Sequence, residues 1–130
     1  MTTYGVPQSV WDRAKLAARE ILLRRGASGQ PIFYSDLAEQ IRAVHPFDPH
    51  SAPFFMLLDE MSREENADHG VMLSALVVTK ANFQPGRGFY DLARALERTD
   101  PDDDSLWRDE FNAAVAHCRA QSKPKARPAK

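Results

Sequence analysis

A chain of 130 residues with a net charge of −1 is long enough for one domain to bury roughly two-thirds of the surface its unfolded form exposes, so it needs no covalent or metal staple. The lone cysteine, Cys118, excludes an intramolecular disulfide and a cysteine metal site. With an opening MTTYGVPQS that is neither basic nor apolar, it favours the cytoplasm. No apolar stretch approaches the roughly 18 residues that a membrane span requires.

Charge is unevenly spread: +3 over residues 1–30, −6 over 31–70, +1 over 71–100, −3 over 101–122 and +4 over 123–130. Binding to duplex DNA draws on a basic face that releases counterions from phosphates, and no such face shows at this level. The plainly cationic stretch is 123–130, with Lys123 and Lys125, which reads as a disordered basic tail behind a single domain of residues 1–122.

In chain order, Ser9 caps a first helix of about sixteen residues, with Val10, Ala14, Ala17, Ala18 and Ile21 on one face, stopping at Gly26. Arg24 and Arg25 complement the negative end of its dipole. Pro31, Ile32, Phe33 and Tyr34 read as a short strand. Ser35 caps a second helix from Asp36 to about Val44. The stretch 45–50 is turn-rich, because Pro46 and Pro49 bias the residues before them away from helix. A third helix starts near Ser51 with Pro53 in its first turn, and Phe54, Leu57, Leu58 and Met61 recur at helical spacing before it ends ahead of Gly70.

The run 72–78 is almost unbroken apolar, which a strand covered on both faces and a buried helix segment share. Adjacent valines and the flanking His69-Gly70 and Asn82, Pro85, Gly86 and Gly88 favour the strand. A fourth helix carries Phe89, Leu92, Ala93 and Leu96, although residues 85–92 could instead return as a second strand. If they form a helix at once, the sheet must find its second strand at 31–34. After the acidic linker 100–104, a fifth helix from Ser105 presents Leu106, Trp107, Glu110, Phe111, Ala114, Val115 and Cys118 as an apolar stripe.

The expected class is α+β, mostly helical, with about five helices and a two- or three-stranded sheet. Helix, short strand, helix, helix, strand and a glycine-bearing loop is the order of a winged-helix domain, a helix-turn-helix variant. Within it, Phe33-Tyr34-Ser35-Asp36-Leu37-Ala38 resembles the opening of the second helix in the DNA-binding domain of alkylguanine-DNA alkyltransferases and alkyltransferase-like proteins, over residues 31–89. The resemblance implies a winged-helix fold and DNA contact. Alkyl transfer does not carry over, because Met72-Leu73-Ser74-Ala75 stands where that family has Pro-Cys-His-Arg.

Two surfaces are expected to meet partners. The loop after the strand gathers Lys80, Asn82, Gln84 and Arg87 as wing contacts to nucleic acid, with Lys123 and Lys125 as an electrostatic aid. The third helix carries Asp59, Glu60, Glu64 and Glu65, which phosphates would repel; with Phe55 and Met56, Glu60 and Glu64 point to a protein partner or a second copy. Gly86, Arg87 and Gly88 could also hold an anion at a helix start, without P-loop or dinucleotide spacing.

No cofactor is expected. His45, Asp48 and His50 have ligand chemistry but lack a third histidine or a cysteine nearby, so they read as a surface loop. His69 is assigned to the turn before the strand, His117 to the exposed side of the last helix, and the glutamates of helix three to a solvated face. No activated nucleophile assembles from the sequence. The expectation is a small, non-catalytic, bacterial-type module that binds nucleic acid or regulates, with a protein-interaction adaptor as the alternative and an enzyme acting on a phosphorylated ligand third.

Overall fold

A computed structural model describes residues 2–122. Two short strands, β1 (Thr2–Thr3) and β2 (Val6–Pro7), pair antiparallel through a two-residue turn. Tyr4 and Gly5 both take left-handed backbone, φ 54° and 77°, as a tight hairpin turn of this hand demands. The hairpin was not expected, since a Tyr-Gly turn between two-residue strands carries no periodicity. Tyr4 stacks on Trp11 at 6.1 Å, which anchors the hairpin to the domain.

Helix α1 (Gln8–Ala27) follows, with Pro7 rather than Ser9 as its N-cap. Its buried stripe of Trp11, Ala14, Ala18, Ile21 and Leu22 has the helical spacing read from the sequence. Gly26 does not stop it: the left-handed residue beyond its end is Gly29, φ 80°. Gly26 is instead buried where α5 (Asp103–Ser122) crosses α1, and a Cβ there would press into Cys118 Sγ and come within 2.9 Å of Leu76 Cδ1. Close helix approach, not a cap, is what this glycine supplies.

Strand β3 (Ile32–Phe33) leads directly into α2 (Tyr34–Gln40), so Ser35 lies inside the helix instead of capping it. This helix is shorter than expected: residues 41–44 are turns, closed by hydrogen bonds such as Val44 N to Ile41 O at 2.9 Å. Helix α3 (Ala52–His69) has Ser51 as N-cap and Pro53 in its first turn, and Gly70 ends it in left-handed geometry, φ 75°. That termination is the standard glycine C-cap. His69 is therefore the last helical residue, not a turn residue.

The apolar run 72–78 is not one strand. Leu73–Leu76 forms a 3₁₀ turn and only Val77–Val78, β4, is a paired strand, parallel with β3. Every residue from Val71 to Val78 is buried, because the segment threads between two apolar clusters. Leu73, Leu76 and Val77 join the main core with Trp11, Phe54 and Leu57, while Met72 and Ala75 join a second cluster with Phe89, Leu92 and Leu106. With a two-residue strand as its partner, the rest of the run satisfies its backbone locally or through side chains: Ala75 N donates to Met72 O at 3.1 Å and Ser74 N to Ser62 Oγ at 2.9 Å. An apolar run reports enclosure on all sides, not backbone shape.

Residues 79–84 close into a tight turn through Thr79 N to Gln84 O at 2.9 Å, and α4 (Arg87–Ala95) starts at once. The sheet therefore finds its second strand at Ile32–Phe33, and residues 87–95 do not return as a strand. The described residues thus form five α-helices with one antiparallel and one parallel two-stranded sheet. None of these helices is long and apolar enough to cross a membrane.

Candidate binding groove

The first half of α3 and the start of α4 face each other across a cavity of about 460 Å³. Helical spacing buries Phe54, Leu57 and Leu58 in the domain and leaves Phe55, 46 % exposed, and half-buried Met56 toward the groove. Phe55 meets the edge of the Tyr34 ring at 5.9 Å. One turn further, Asp59 and Arg63 pair at 2.6 Å along α3 and also line the cavity.

Gly86, Arg87 and Gly88 form the opposite wall together with Asp91 and Leu92. Gly86 N donates to Tyr34 Oη at 3.0 Å, and Phe89 N closes the first turn on Gly86 O at 3.1 Å. The amides of Arg87 and Gly88 belong to the first turn of the helix, where N–H groups have no intrahelical acceptor and the dipole is positive. Burial raises the Tyr34 hydroxyl above its ordinary range, and the Gly86 amide only partly offsets this. Tyr34 therefore stays protonated, and its oxygen accepts from Gly86 while its proton can serve a ligand.

The anion loop and the partner residues Phe55 and Met56, which the sequence had placed in separate sites, thus share one groove. Tyr34, Asp59, Arg63 and Leu92 complete it, and nothing in the spacing of Tyr34 relative to Gly86 announces their contact. Arg63 and Arg87 balance Asp59 and Asp91, so the lining is formally neutral.

The remaining expected contacts lie elsewhere. Asn82 organises its own turn, accepting from Thr79 Oγ1 at 2.6 Å and Gln84 N at 3.2 Å, while Gln84 donates to Asp104 at 3.3 Å. Lys80 Nζ sits 5.6 Å above the Phe33 ring, and Phe83, 51 % exposed, packs edge-on against the same ring at 5.8 Å. Arg87 thus lines the groove while Lys80, Asn82 and Gln84 do not, and Lys123 and Lys125 lie outside the described residues.

Of the glutamates of α3, Glu64 is exposed, as a solvated face requires, Glu60 is half-buried and Glu65 is buried, and all three are ion-paired. Glu60 accepts from Trp11 Nε1 at 2.9 Å and Lys15 Nζ at 3.3 Å, and Lys15 reaches Glu64 at 2.7 Å. Burial alone would lower the Lys15 ammonium, but its bonds to Glu64 and Glu60 outweigh that and raise it. Both carboxylates therefore tie α3 to α1. Glu65 is buried and takes two bonds from Arg19, and half-buried His117 packs inward onto Glu65. In the loop of His45, Asp48 and His50, read from the sequence as a surface loop, His45 packs on Phe47 and exposed Asp48 accepts from the backbone of His50. Compared with protein-family models, curated proteins and solved structures, the chain finds no match.

Proposed function

We propose that this chain is a small recognition module of winged-helix type that binds a peptide segment of a protein partner in the groove between α3 and α4. The order α1, β3, α2, α3, β4 supports the winged-helix frame, with α4 standing where a wing would return. The groove itself carries the functional proposal. It is largely apolar, holds an exposed phenylalanine, and its two arginines are balanced by two aspartates.

A neutral lining offers little to a run of phosphates, whose affinity scales with the number neutralised. It suits an apolar anchor with a few polar contacts, the pattern of peptide and small-ligand sites. Phe55, Met56 and Leu92 take the anchor side chain. The Tyr34 hydroxyl, Arg87 and the first amides of α4 take one carboxylate of the segment.

Selection of a random peptide display library on the full chain tests this. Enriched peptides are expected to share an apolar residue near an acidic one, and Met56→Glu or Arg87→Ala should each weaken them about tenfold, roughly 1.4 kcal/mol. Peptides that bind both variants as they bind the parent would remove the groove from consideration.

Single-stranded nucleic acid is a second ligand class, favoured by one feature: exposed Phe83 and half-buried Phe33 beside Lys80 combine a stacking surface with a cation. Fluorescence anisotropy with random-sequence DNA at low and moderate salt separates the two. Binding lost in Phe83→Ala and Lys80→Ala but kept in Met56→Glu would assign function to the turn after β4 instead.

A further inference from the structure

Glu65 and His69 are four residues apart at the end of α3, a spacing that puts both on one helix face. Helix α5 brings His117 across to them. Its Nε2 lies 2.7 Å from Glu65 Oε2, the His69 and His117 rings are 4.7 Å apart at 38°, and one donor atom from each of the three falls within 4.8 Å of the others. Arg19 holds the carboxylate from behind, Nε to Oε1 at 2.6 Å and Nη2 to Oε2 at 3.0 Å.

We propose that Glu65, His69 and His117 form a three-ligand site for a divalent transition-metal ion, with zinc the best-fitting candidate. Two imidazoles and one carboxylate suit zinc and its neighbours, whereas magnesium and calcium require more oxygen ligands than the cluster offers. Metal–ligand bonds of about 2.1 Å at tetrahedral angles place donor atoms about 3.4 Å apart. His117 must therefore withdraw by about 0.7 Å from its 2.7 Å hydrogen bond to Glu65, and exposed His69 must close by up to about 1.4 Å from the 4.8 Å limit, adjustments of two side chains.

Arg19 opposes the cation by charge but favours the site by geometry. Its Nε holds Oε1 and its Nη2 one side of Oε2, which fixes the carboxylate with Oε2 also facing His117, as partners behind a ligating carboxylate commonly arrange. Glu20 and Asp68 act electrostatically on Arg19 and offset part of its charge. Glu65 is buried and His69 is exposed, so an ion enters from the His69 side and keeps its fourth position there for water or an outside ligand. Bound there, it joins the C-terminal end of α3 to α5.

The test is zinc titration of the metal-stripped full chain against a chromophoric chelator, with cobalt absorption to report tetrahedral geometry. One zinc per chain is expected. Affinity should fall at least tenfold in His69→Ala, whose exposed side chain leaves the fold intact by circular dichroism, and similarly in His117→Ala. His50→Ala should bind as the parent does. No stoichiometric zinc, zinc bound equally by His69→Ala, or binding lost instead in His50→Ala would each overturn the site and leave Arg19, Glu65 and His117 as an ion-pair network.

Discussion

Tyr34→Phe removes one oxygen from the floor of the groove and nothing else. The ring, 8 % exposed, keeps its edge contact with Phe55, so no cavity of consequence opens. Lost is the acceptor 3.0 Å from Gly86 N, the tie between the start of α2 and the residue capping α4. A hydrogen bond of this kind contributes about 0.5–1.5 kcal/mol net, and an amide stranded without water costs about 1–3 kcal/mol. Gly86 is only half-buried and can rehydrate, which puts the expected loss near 1 kcal/mol. With a urea m-value of about 2 kcal/mol/M, the unfolding midpoint falls by about 0.5 M. The effect should be local as well as global, so hydrogen exchange of the Gly86 amide should accelerate more than that of residues in the middle of α1. A variant with the parent's midpoint and unchanged Gly86 exchange would refute the role of Tyr34 in holding the groove.

Gly26→Ala sets a methyl group against Cys118 and Leu76. Overpacking of about 1–3 kcal/mol outweighs the roughly 1 kcal/mol that alanine gains in a helix, and adding Cys118→Ala should recover part of the loss in urea unfolding. The Cys118 thiol, pushed up to about 11 first by burial and then by the charge of Glu65, should resist disulfide reagents at pH 8 in the folded protein and react at once in denaturant. Lys15 is raised above 10.5 in the fold, so its stabilising contribution is complete below pH 10.5 and is lost as pH rises through the higher folded value. Lys15→Met should therefore be less stable than the parent at pH 8, and the gap should narrow above pH 10.5 in thermal melts.

What the sequence determined by itself was the mostly helical character and the place of most helices. Apolar spacing along 10–22, 54–61 and 106–118 is a property of each segment alone, and the pairing of 31–34 with the run 72–78 was legible as the alternative to a returning strand. Ends were less legible. Ser9 and Ser35 offer capping oxygens, yet the backbone turns helical ahead of each, where Pro7 and Phe33 are extended, because the adjoining strands β2 and β3 set where the helices begin.

Only the tertiary structure decided the shape of 72–78, since two cores enclose that segment and a two-residue strand leaves most of it to bond locally or to Ser62. It also decided the sites. Tyr34 meets Gly86 52 positions away, and Glu65 meets His117 at the same separation. Half of the second cluster, Glu65 and His69, stood in the sequence at i,i+4. Its third member, His117, was assigned to the exposed side of α5 and turns inward instead, because which residues of α5 face the core depends on how that helix crosses α1 over Gly26. Segment periodicity reports which face is buried; only packing between segments reports what that face meets.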